Sequence, residues 1–188
     1  MKKIIILFLV LSAFAGAQAQ QRVFTKNGKI RFDATSPSSP EKIAAVNEKA
    51  TSILDLTTGN IEFALLMKAF SFEKALMQEH FNENYVESDK FPKAVFKGTI
   101  TDLASLNLQK DGDYNVKVSG KMTIHGVTKD LQTVAVLSVK NGTVIAGKSS
   151  FKITLRDFGI EIPSLVSDKV SKEATIVIDL QYEPVKVG

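Results

Sequence analysis

The sequence has no cysteine, no tryptophan and only two histidines in 188 residues. Without cysteine there is no disulfide, so burial alone must stabilise the fold. A lipid-modified cysteine anchor is excluded for the same reason. Long apolar runs are nearly as scarce. The one present, Ile4 to Phe14 broken only by Ser12, follows Lys2 and Lys3 and precedes Ala17-Gln18-Ala19. This is the layout of an export leader cut after Ala19, and it is too short to span roughly 30 Å of hydrocarbon. Residues 1–19 are read as the leader and 20–188 as one domain, periplasmic or secreted. A basic block is missing as well. Without the leader lysines the net charge is about +2, which is no electrostatic footprint for nucleic acid.

What the chain does contain is period-two patterning broken by turns. In Asn60 to Ala69 the residues Ile61, Phe63, Leu65 and Met67 fall on one face, as a half-buried strand requires. Ala94 to Ile100 sets Phe96, Gly98 and Ile100 against Val95, Lys97 and Thr99. Val116 to Ile124, Leu131 to Val139, Thr143 to Leu155 and Ala174 to Tyr182 alternate in the same way. Asp111-Gly112 and Asn141-Gly142 read as two-residue type I′ turns. Six or more antiparallel strands without crossover helices indicate a barrel or a sandwich. One stretch departs from this: Phe72 to Val86 carries Leu76, Met77, Phe81 and Tyr85 at helical spacing and predicts a helix over about 72–86, placed near one end. Residues 38–54 read both ways, with a capping-box spacing at Ser38 and Glu41 but strand-like Thr51 and Ile53.

The motifs that promise chemistry lack its context. Gly142 to Ser149 matches a phosphate-binding loop letter for letter, yet its interior is β-branched and a strand follows where a helix is needed. His80 and Glu83 lie one helical turn apart, but no third ligand accompanies them, so no metal is expected. His125, in Thr-Ile-His-Gly-Val, has Ser119, Ser138 or Asp130 as conceivable partners. Nothing in the sequence brings a nucleophile, an orienting acid and an oxyanion site together, and a turn role or a ligand contact outweighs catalysis. Ten of the twelve phenylalanines lie outside the leader, and they fill either a solid core or the lining of a cavity.

Three strings occur in a recognisable order. Ser88-Asp-Lys-Phe91-Pro92-Lys-Ala-Val-Phe96-Lys-Gly98 precedes Gly120-Lys-Met-Thr-Ile-His125-Gly126-Val-Thr-Lys129, and Phe151-Lys-Ile-Thr-Leu-Arg-Asp-Phe158-Gly-Ile160 follows. Together with a closing strand to Tyr182, this resembles the YceI-like family of exported bacterial lipid-binding proteins over roughly residues 72–183. The resemblance implies an all-β, eight-stranded antiparallel lipocalin-like barrel with an elongated apolar cavity. It implies a polyisoprenoid, isoprenoid quinone or long-chain amide as ligand, and it favours strand over residues 41–56. The N-terminal third departs from the family, because Thr35 to Pro40 lacks the histidine usual there, which leaves headgroup chemistry open.

The leading expectation is a non-catalytic carrier of one long-chain apolar molecule, without cofactor, metal or nucleic acid, not membrane-spanning, with a homodimer left open. Phe63, Leu65, Met67, Phe96, Ile100, Met122, Ile124, Phe151, Ile153 and Phe158 are expected to line its cavity, with Phe81, Phe91 and His125 at the mouth. A solid-core interaction module and an enzyme using His125 as a base are the alternatives.

Overall fold

The computed structural model describes residues 21–185, so the leader reading over 1–19 lies outside the described residues. Eight long strands close into one antiparallel barrel. They are β1 (Arg22–Thr35), β2 (Ala44–Asp55), β3 (Asn60–Leu66), β5 (Lys93–Ile100), β6 (Gly112–Ile124), β7 (Val127–Lys140), β8 (Thr143–Thr154) and β9 (Val170–Gln181). Neighbours in sequence are neighbours in the wall, and β1 closes the cylinder by pairing with both β9 and β2. Two short strands extend the wall: β4 (Ser71–Phe72) pairs with the start of β2, and β10 (Glu183–Pro184) pairs with the start of β1. Residues 44–55 are strand, so the resemblance and not the capping spacing describes them. Ser39 Oγ instead fastens the preceding loop, donating to the Glu41 carbonyl at 2.6 Å.

The helix is shorter than its periodicity predicts. Phe72 pairs with Ala45 as part of β4, so the helical stretch begins only after Lys74. It runs as α1 (Ala75–His80) and then widens into a π turn over Phe81–Tyr85, closed by Val86 N–H donating to the Phe81 carbonyl at 3.0 Å. Phe81 anchors it. Its ring lies 5.7 Å from Phe32, 5.6 Å from Phe70 and 5.0 Å from Phe72, so the helix packs on aromatic rings across one barrel end.

Of the two Gly-containing turns, one is as read. Asn141 and Gly142 have φ of 53° and 80°, and Lys140 pairs with Thr143, which is a type I′ hairpin. Asp111-Gly112 is not a hairpin turn. Gly112 already pairs with Val139 as the first residue of β6, and residues 101–111 form a longer connection. The Asp111 carboxylate serves that connection by accepting a bond from Asn141 N–H at 2.9 Å.

The interior divides along the barrel axis. At the end formed by the start of β1 and the end of β2, Val23, Leu54, Ile100, Val116, Val139 and Val144 are buried against one another as a solid plug. At the other end, under α1, the inward side chains leave a space. The wall also parts there: the β7–β8 ladder stops at Ala135 and Ser149, although β7 extends back to Val127 and β8 forward to Thr154. Two hydroxyl bonds hold the point of separation, Thr133 to Ser149 at 3.2 Å and Ser149 to the Val134 carbonyl at 2.8 Å.

Candidate functional site

The space is a cavity of about 500 Å³, within the size range of small-molecule sites and lined mainly by apolar side chains. Strand alternation builds it, because every second residue of a barrel strand points inward. Phe63 and Leu65 on β3, Phe96 on β5, Met122 and Ile124 on β6, and Phe151 and Ile153 on β8 all border it. Met67 borders it too, from a 3₁₀ turn after β3 (Met67–Ala69) and not from the strand itself.

Ile100 does not border it. It shares the phase of Phe96 but lies four residues further along β5, down in the plug. Phe158 is buried in the 3₁₀ turn Leu155–Phe158, where strand alternation no longer applies, and its neighbours Leu155 and Ile160 border the cavity instead. At the mouth, Phe81 is a lining residue, whereas Phe91 and His125 are not. Alternation also overlooked part of the wall. Phe32, Phe70, Phe72, Ile176, Ile178 and Tyr182 all contribute to the lining. For Phe32 the signal was present in Lys29-Ile30-Arg31-Phe32, but for Phe70 and Phe72 it lay in a segment whose strand is two residues long.

Phe96 shows how the lumen is kept open. Gly98 and Gly120 face each other across β5 and β6. A Cβ on Gly98 would come within 2.5 Å of the Phe96 ring, and one on Gly120 within 2.7 Å. The ring therefore lies along the wall over two missing side chains and does not stand in the cavity.

The rim at the open end is polar and charged. The Lys74 ammonium donates to the Glu41 carboxylate, and Lys169 stands near the same carboxylate. The bond from Lys74 holds the Glu41 carboxyl below its usual range. Leu76 is the exposed apolar side chain on this rim, at 60% exposure.

At the closed end, the cavity floor is Tyr182. Its ring rests on Gly147, whose Cβ would meet it at 3.1 Å, and its hydroxyl reaches Ser52 Oγ at 2.9 Å. Burial pushes this hydroxyl up to about 12, against a smaller opposite effect of Ser52. The glycine of the phosphate-loop look-alike thus makes room for a tyrosine ring. Lys148 beside it pairs with Asp179 at 3.9 Å.

His125 occupies the first position of a two-residue type I′ turn. Its φ is 51° and that of Gly126 is 74°, with Ile124 and Val127 paired on either side. The ring packs edge-on against Phe91, with centroids 4.6 Å apart. Nδ1–H donates to the Phe158 carbonyl at 3.1 Å, and Nε2 lies 2.7 Å from Glu87 Oε2. Both partners are acceptors, so only the doubly protonated ring donates to both at once. The bond from His125 is the main cause holding the Glu87 carboxyl below its usual range, with Lys90 adding to it. The second histidine, His80, bonds Asn84 through Nδ1 at 2.9 Å. Among the described residues no group of three or more His, Asp or Glu is placed to hold a metal ion.

Fold and cavity define an antiparallel barrel with a single-ended apolar pocket. The chain belongs to the YceI-like domain family, whose model matches residues 10–182. Solved structures agree on the fold. A polyisoprenoid-binding domain from Saccharophagus degradans superposes with a TM-score of 0.72 at 14% identity, covering 87% of this chain and 98% of its own. BcnA from Burkholderia cenocepacia gives 0.64 at 16% identity, covering 81% and 94%. The YceI protein of Campylobacter jejuni gives 0.57 at 16%, covering 78% and 87%. Comparison with curated proteins gives no match.

Proposed function

We propose that this chain is a non-catalytic carrier that holds one long apolar chain, of the polyisoprenoid, isoprenoid quinone or fatty amide type, inside the barrel. The observation that carries the reading is the apolar cavity, open at the α1 end and closed at Tyr182. Each CH₂ removed from water contributes about 0.8 kcal/mol, so a long tail is retained without specific polar contacts. The Saccharophagus neighbour, described as a polyisoprenoid-binding domain, supports the same class of ligand. The leader pattern of residues 1–19 supports action outside the cytoplasm. A solid-core interaction module would have no such cavity. A base at His125 has no support in the geometry, since both ring nitrogens are engaged and the residue does not border the cavity.

Native mass spectrometry of protein purified from its own host tests the reading. A bound lipid-sized mass is expected, and offered polyprenols should bind the wild type but not Ala135→Phe, which places a ring in the lumen. A clean apo mass with no uptake by the wild type would sink it.

A further inference from the structure

The floor of the cavity is chemically unlike its walls. Tyr182 and Ser52 are 6% and 5% exposed, and together they bring two hydroxyl protons. The 2.9 Å bond between them uses one proton, whichever residue donates. Among the described residues neither hydroxyl has another hydrogen-bond partner, side chain or backbone, so one proton is left without an acceptor. A buried donor without a partner is costly, and the cost disappears when an acceptor arrives. Tyr182 borders the cavity and Ser52 does not, so with Ser52 donating to Tyr182 the hydroxyl proton that meets the lumen is that of Tyr182. The space in which an acceptor would arrive is therefore the inner end of the lumen.

We propose that Tyr182 and Ser52 form a polar subsite that receives a neutral hydrogen-bond-accepting oxygen at the inner end of the bound chain. This rests on the carrier reading and adds an orientation and a ligand class to it. Acceptors of the right kind are the carbonyl oxygens of ketones, esters and amides. A carboxylate is disfavoured, since Phe63, Leu137 and Leu180 make this end apolar and an unpaired buried charge is far more costly than a neutral dipole. The high value of the Tyr182 hydroxyl keeps it protonated, hence a donor, across the neutral range. The Gly147 notch fixes the ring while leaving the hydroxyl to bridge to β2.

The test uses the full chain and two probes of equal length, an n-alkane and a straight-chain methyl ketone with a ¹³C-labelled carbonyl. The wild type should favour the ketone over the alkane by about fivefold more than Ser52→Ala/Tyr182→Phe does, the effect of one hydrogen bond. The carbonyl stretch of the bound ketone should lie below its value in hydrocarbon solvent and should rise in the variant. Tyr182→Phe alone keeps the ring on Gly147 and gives the same spectroscopic comparison should the double variant fold poorly. An equal ketone-to-alkane ratio in wild type and variant, or an unchanged carbonyl frequency, overturns the subsite and leaves the carrier standing. Uptake of neither probe by the wild type overturns both.

Discussion

One imidazole joins three stretches of chain here, because the ring of His125 reaches Glu87, 38 residues away, and Phe158, 33 residues away, while standing on Phe91. Its position in a turn was legible in Ile-His-Gly-Val, but those partners were not, since no local pattern encodes a contact over such separations. His125→Ala should be destabilising in chemical denaturation, chiefly from the lost bond to the Phe158 carbonyl and the lost packing on Phe91. Gly126→Ala should be destabilising in the same assay, because its φ is positive and its Cβ would come within 2.6 Å of Phe91. Glu87 makes this corner sensitive to acid. Its folded value is depressed, so its contribution is present above the ordinary value of 4.5 and lost as pH falls through the folded value. The Tm gap between wild type and Glu87→Gln should therefore narrow below about pH 4.5, and a constant gap would contradict this. Tyr182 acts at the other extreme. Its hydroxyl value is raised from 10.0 to about 12, so the unfolded chain ionises first and stability falls as pH rises through that interval. Tyr182→Phe should remove that part of the alkaline loss.

Along the elements, alternation revealed the inward face of each strand but not the depth at which a residue sits. Phe96 and Ile100 have one phase, yet one meets the lumen and the other the plug. Strand β1 was legible only in part, because its pairing with β2 shifts register around Gly28, which breaks the alternation. The Gly98–Gly120 pair was visible as two glycines in strand patterns, a sign of close approach. Its purpose needed the Phe96 ring. Gly120→Ala should force β5 away from β6 as well as displace that ring, because its Cβ would run into the Lys97 carbonyl oxygen and meet Gly98 Cα at 2.5 Å. It should cost about 1–3 kcal/mol or more and reduce uptake of a long chain, both measurable on one preparation. Beside the parted β7–β8 wall, the amides of residues 128–134 that face β8 should exchange with solvent faster than those paired to β6.

Taken whole, the molecule separates stability from capacity. Leu54, fully buried in the plug, should cost about 2–5 kcal/mol when cut to alanine and leave ligand uptake per folded molecule unchanged. Occupancy of the cavity should do the reverse, raising stability by about 2.7 kcal/mol at a ligand concentration one hundred times Kd. The family strings made the barrel readable at this scale, whereas a cavity volume is a difference between packed shapes and has no sequence pattern of its own. A further consequence follows from the bridge between Tyr182 and Ser52. Because it seals one end and the other stays open, the proposed carrier would work as a depth gauge: any chain it takes up would run to the same stop, and whatever length exceeds the lumen would project past Lys74 and Glu41 into water.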